Sequence, residues 1–121
     1  MSVFTKIEPN KKLYLSEHFF IIKDEFPVSD GHLLIISKEL KIDYFDLSIE
    51  EKTELPQLID KAKELIETEF KPSGYNIGMN CGEEAGQTVM HFHCHVIPRY
   101  TGDVEDPTGG IRNTIPGKGK Y

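Results

Sequence analysis

Histidine is the side chain whose free pKa lies near neutrality, and His91, His93 and His95 stand at alternate positions in the stretch HFHCHVIPR (residues 91–99). Phe92, Cys94 and Val96 separate them, and a period of two is that of a β-strand with one imidazole face and one apolar face. The apolar face would pack on a core while the histidines look into a cleft, and Pro98 would mark the end of ladder pairing. At about 3.3 Å per residue, His91 and His93 are ~6.6 Å apart and His91 and His95 ~13 Å, so the three cannot all act on one atom. Three readings fit this stripe: a polar edge face that happens to be rich in histidine, a zinc site using His91 and His93, or nucleophilic and acid–base chemistry.

The flanking residues carry further information. Asn80-Cys81-Gly82-Glu83-Glu84-Ala85-Gly86-Gln87-Thr88 reads as a glycine-containing loop that delivers amides and a hydroxyl to the start of the strand. With the three histidines, it resembles the histidine-triad (HIT) family of nucleotide hydrolases and transferases, whose motif is His-φ-His-φ-His-φ-φ with φ apolar. Phe92, Cys94, Val96 and Ile97 fill the apolar positions. The Gly86-Gln87-Thr88 lead-in and the Pro98-Arg99 exit resemble the dinucleoside polyphosphate hydrolase branch. Related transferases have Gln at the third histidine position, so His95 implies hydrolysis.

The resemblance implies that His93 is the nucleophile toward the α-phosphorus of a nucleotide, forming a nucleotidyl-histidine that water then releases. A carbonyl should accept from the far nitrogen of its ring and fix the tautomer. His95 would contact the leaving-group oxygen, with His91 and His32 as orienters. Gln87, Thr88 and the amides around Gly86 are the nearby donors for charge that develops on phosphorus oxygens. Asp24 matches the family's acid that binds ribose hydroxyls, and Asn80 its substrate contact at the cleft mouth. The implied substrate is a dinucleoside polyphosphate of the diadenosine tetraphosphate kind, with an AMP-amine phosphoramidate as the alternative. A zinc-binding or non-catalytic nucleotide-binding protein is the rival of another class. No tightly bound cofactor is expected, although Mg²⁺ can accompany a polyphosphate. Some bacterial members hold a structural zinc through N-terminal cysteines. Thr5 stands where such a cysteine would be, no Cys-x-x-Cys occurs, and no zinc is expected there.

Bulk properties bound these readings. A chain of 121 residues is one domain, and 38% apolar with 28% charged residues is ordinary for a globular protein. A net charge of −6 argues against a nucleic-acid duplex or an anionic membrane as partner, whereas an anionic small molecule responds to the local field of one cleft. Two cysteines, Cys81 and Cys94, are too few for a disulfide framework. No run reaches membrane-span length and residues 1–10 carry no apolar signal core, so a reducing cytoplasm is expected.

The elements that must position the histidines follow in order. Residues 13–15 and 19–23 read as strands of a hairpin, with His18 a solvated turn residue, and residues 32–37 as a strand buried on both faces. Ser48 and Glu51 form a capping box ahead of a helix with one apolar stripe, Leu55, Leu58, Ile59, Ala62, Leu65, Ile66 and Phe70. Pro56 should kink that helix or begin a second segment. Residues 75–81 form the strand before the histidine strand. The expected fold is therefore α+β, an antiparallel sheet of about five strands with one main helix. The resemblance adds a homodimer with a continuous sheet. Residues 1–100 would be the catalytic domain. Composition makes the tail, residues 101–121, mobile. By resemblance it instead packs near the active site or the partner subunit, where Arg112 could meet phosphate oxygens.

Overall fold

The computed structural model describes residues 2–121. Five strands, β1 (Tyr14–Leu15), β2 (Phe19–Lys23), β3 (Leu33–Ser37), β4 (Gly74–Gly78) and β5 (His93–Arg99), form one sheet in the order β1-β2-β3-β5-β4. Every neighbouring pair is antiparallel. A single long helix, α1 (Ile49–Glu67), crosses one face.

The two faces explain why β2 and β3 are apolar throughout. Phe19, Ile21, Leu33 and Ile35 point toward α1 and meet Leu55, Leu58, Ala62 and Ile66 in the main core, joined from β5 by Cys94 and Val96. Phe20, Ile22, Leu34 and Ile36 point the other way and form a second core, against which Phe4 and Ile7 of the N-terminal segment pack. Fully burying one such side chain stabilises by about 1.5–3 kcal/mol, so neither cluster is incidental.

The helix starts where the capping box predicts. Ser48 Oγ accepts from the Glu51 amide (3.1 Å) and Glu51 Oε1 accepts from the Ser48 amide (2.7 Å). Pro56 neither kinks it into two nor begins a segment: the helix is continuous through it. The reason is placement, since Pro56 lies on the exposed face, where water can reach the Lys52 carbonyl that loses its N–H partner.

Two sequence boundaries shift. The fourth strand ends at Gly78, short of the expected Cys81, and the fifth begins at His93, so His91 and Phe92 precede it. His18 is half-buried at the β1–β2 turn, not merely solvated, and its Nδ1 pairs with Glu54 Oε1 on α1 at 3.1 Å. The tail is ordered by its own contacts. Gly110–Thr114 forms a 3-10 turn, Asn113 Nδ2 donates to the Thr108 carbonyl (3.2 Å), and Lys120 pairs with Asp106 (3.1 Å). Gly109 has φ +88° and packs directly on Gly119, where any side chain would collide with backbone.

Candidate active site

Side chains alternate along β5: His93, His95, Ile97 and Arg99 are half-buried on the face opposite α1, while Cys94, Val96 and Pro98 are buried. A cavity of about 580 Å³ opens over His93 and His95. Ile22 and Leu34 line it, Phe4 and Ile7 form a wall, and Asp24, Asn80, Gly86 and Thr88 reach its rim. That volume suits a ligand of nucleotide size. A smaller cavity of about 290 Å³ lies behind His32, among Leu13, Leu65 and Phe70.

The expectation of an all-imidazole face holds for His93 and His95 and fails for His91. His91 is 1% exposed and lies before the strand, with Nε2 donating to the Ser37 carbonyl (2.7 Å) and Nδ1 accepting from the Ser2 hydroxyl (2.6 Å). Both ring nitrogens are spent, which removes the zinc reading built on His91 and His93. What His91 supplies to the site is its backbone carbonyl, which accepts from His93 Nδ1–H at 2.9 Å. A carbonyl has no hydrogen to give, so the neutral tautomer of His93 that fits has its proton on Nδ1 and its lone pair on Nε2. Phe4 meets the His93 ring edge-on, with centroids 5.1 Å apart.

A second chain of hydrogen bonds sets the state of His95. The Val28 amide donates to His32 Nδ1 (3.2 Å), so His32 carries its hydrogen on Nε2, which donates to His95 Nδ1 (2.9 Å). His95 must then hold its own hydrogen on Nε2. Burial, helped by His93 and His32 and opposed by Asp24, pushes the His95 pKa down to about 4, so this ring is neutral at neutral pH. Burial also lowers His32, again against Asp24, and burial lowers His91. The site thus pairs one imidazole with an available lone pair and one with an available N–H.

Asp24 divides its oxygens. Oδ1 accepts from the Phe26 amide (2.8 Å), a turn cap, while Oδ2 lies 3.4 Å from His32 Nε2 and 3.9 Å from His95 Nδ1. The ligand atoms of Asp24, His32 and His95 fall within 4.8 Å of one another. A cation there would displace the hydrogen that His32 Nε2 shares with His95 and invert the tautomer that Val28 enforces, so the donor set is built for protons.

Gln87, expected among the donors to phosphorus oxygens, is turned away from the cleft. It is 3% exposed; Oε1 accepts from the Gly82 amide (2.8 Å), and Nε2 donates to the carbonyls of Ile42 (2.6 Å) and Val89 (3.1 Å). Its role is to fold the loop around the turn Glu83–Ala85, which Gly86 ends in a left-handed conformation (φ +94°). Asn80, Gly86 and Thr88 are the members of that loop facing the cavity. Arg112 is not in the cleft: its Nε donates to the Lys118 carbonyl (3.0 Å) and its guanidinium stacks on Tyr121. Missed from sequence were Ser2 and Val28, which act through a hydroxyl and a backbone amide. Such contacts leave no trace in residue spacing.

Fold and site define an α+β protein of histidine-triad type. Comparison with known protein families matches residues 5–102 to the HIT domain, and the chain belongs to that family. It is 37% identical over 92 residues to a Bacillus subtilis (strain 168) protein named "Protein hit", covering 76% of this chain and 63% of that one. It is 39% identical over 80 residues to the bis(5'-nucleosyl)-tetraphosphatase [asymmetrical] of Schizosaccharomyces pombe, covering 66% of this chain and 44% of that protein. The chain therefore spans less than two thirds of the length of either. Among solved structures, a HIT family protein from Bacillus anthracis superposes with a TM-score of 0.76 at 40% identity, covering 84% of this chain and 74% of that one. Among the described residues, no helix is long and apolar enough to cross a membrane.

Proposed function

We propose that this protein is a nucleotide hydrolase that acts at the α-phosphorus of a dinucleoside polyphosphate through a covalent nucleotidyl-His93 intermediate. The observation that carries the reading is the complementary protonation of the two cleft imidazoles, one lone pair on His93 Nε2 and one N–H on His95 Nε2. In the first step His93 Nε2 attacks phosphorus in line while the bond to the leaving group breaks, and the polyphosphate oxygen departs as an anion that accepts a hydrogen bond from His95 Nε2–H. In the second, water attacks the nucleotidyl-histidine and gives its proton to solvent, and His93 departs with its lone pair restored. Held neutral, the His95 ring keeps its Nε2 hydrogen through both steps and acts as a hydrogen-bond donor.

The nucleoside fits the apolar side of the cavity, against Ile22, Leu34, Phe4 and Ile7, with Asp24 Oδ2 within reach of ribose hydroxyls. Thr88 and the amides at Gly86 are the donors for non-bridging oxygens. Mg²⁺ would arrive with a polyphosphate as part of the substrate. The fission-yeast tetraphosphatase similarity supports the dinucleoside polyphosphate class. The edge strand β4 supports a homodimer through sheet continuation. The test is rapid quenching of a metal-free turnover with mass spectrometry. A nucleotidyl adduct on His93 is the expected result, and turnover with no adduct on any histidine would remove the mechanism.

A further inference from the structure

Lys41 and Ile42 offer consecutive backbone carbonyls to both halves of the active site. The Lys41 carbonyl accepts from the Phe92 amide (2.6 Å), and Phe92 joins the His91 carbonyl to the His93 ring that donates to it. The Ile42 carbonyl accepts from Gln87 Nε2 (2.6 Å), the side chain that folds the loop carrying Gly86 and Thr88. Residues 38–43 belong to no helix or strand, so no ladder fixes the chain there. The Ile42 amide is tied to Asp46 Oδ2 (2.9 Å), whereas at Lys41 the tie is the side chain. Its Nζ lies 3.6 Å from Glu51 Oε1, the oxygen that also accepts from the Ser48 amide. Glu51 is 1% exposed, and its Oε2 is buried with no hydrogen-bond partner. Among the described residues Lys41 is the sole cation paired with that carboxylate. Helix capping does not account for the buried charge, because a glutamine completes a capping box as well as a glutamate does.

We infer that Lys41 is a positioning residue for the nucleophile. Its ammonium, held by buried Glu51, fixes the carbonyl that seats Phe92, and through Phe92 the hydrogen bond between the His91 carbonyl and His93 Nδ1. The inference deepens the reading of His93 as nucleophile and rests on it for its consequence in catalysis. A buried carboxylate with one counter-charge anchors its partner more firmly than a solvated one, since neither charge can fall back on water. The pair therefore ties the first turn of α1 to the entry of β5, and neither side chain touches the cleft.

The experiment joins histidine ring NMR at alkaline pH, which reads the His93 tautomer, to turnover of diadenosine tetraphosphate. Lys41→Met keeps the stem and removes the charge. Glu51→Gln keeps the cap and frees the lysine. Each should turn His93 from the Nδ1–H form into a mixture of tautomers and lower kcat about ten- to a hundredfold, with KM within about threefold. Lys41→Arg should restore both readouts. The double variant, Lys41→Met with Glu51→Gln, should be no worse than the poorer single, because the two act as a pair. Leu58→Ala, a core truncation on the same helix, should lower the melting temperature and leave the His93 tautomer unchanged. Thermal melts establish which variants are folded, and Glu51→Gln, which buries no unpaired charge, carries the test if Lys41→Met is not. A native His93 tautomer in the folded variants, additive losses in the double variant, or an equal tautomer change in Leu58→Ala overturns the assignment. A native protein without turnover removes the hydrolase reading, and the ring NMR then decides the positioning role by itself.

Discussion

His93 gives its Nδ1 hydrogen to the carbonyl of His91, the residue two positions earlier, at 2.9 Å. Because the acceptor is main chain, the nucleophile is aimed by the path of the backbone as it enters β5, and the His91 ring has the separate task of pinning that path to Ser37 and Ser2.

Replacing His93 by Ala should lower turnover by about three orders of magnitude or more while nucleotide affinity, measured by calorimetry, stays within about tenfold. Turnover near the native rate would exclude the assigned role.

Loss of His95 should be felt in proportion to the negative charge that builds on the departing atom. With diadenosine tetraphosphate, His95→Ala is expected to cost about 10²–10³-fold in kcat, and with a p-nitrophenyl ester of the same nucleotide, whose leaving group delocalises its charge, about tenfold or less. His32→Ala should show the same ordering at smaller size, since His32 acts only through the His95 tautomer. Equal losses for both substrates would contradict hydrogen-bond donation by His95 to the departing atom.

Gln87→Ala should destabilise the fold by about 2–3 kcal/mol in urea titration, because it unpairs one buried amide and two carbonyls at once. Gln87→Glu should be no better than Ala, as a carboxylate cannot donate to the carbonyls of Ile42 and Val89. A donor to the substrate would instead lose activity with stability untouched.

The pH dependence of stability follows from the depressed histidines. In the unfolded chain His95 takes a proton near 6.5, but in the fold only near 4. Between those values the unfolded state binds more protons, so stability falls as pH drops from about 6.5 toward 4, by on the order of 3 kcal/mol from His95 alone. His32 and His91 add in the same direction. His18 has the opposite sign, because its hydrogen bond to Glu54 raises its pKa; that contribution is present below about 6.5 and is lost as pH rises through the raised value. Denaturant titrations across pH, with histidine ring NMR to assign each titration, would check both signs.

How much of this was legible in the sequence depends on what kind of interaction carried it. The alternation around His93 and His95 specified a strand and a face because pleating has a fixed period. The Ser48–Glu51 pair located the helix start to the residue, since a capping box is a local structure. His91 obeys the same alternation and yet leaves the cleft, because the strand begins only at His93. Gln87 looked like a substrate donor by type, and only the tertiary position of Ile42, far off in sequence, shows why its amide is used up. Pro56 misled for a similar reason: its cost depends on which side of the helix faces water.

The second core has one more implication. Ile22 and Leu34 are at once the floor of the cleft and half of the hydrophobic cluster on that side of the sheet. Redesign aimed at bulkier bases by trimming either residue would enlarge the seat and thin the scaffold in the same stroke. Room for new ligands is more safely sought at Phe4 and Ile7, which lie on top of the sheet and are not woven into it.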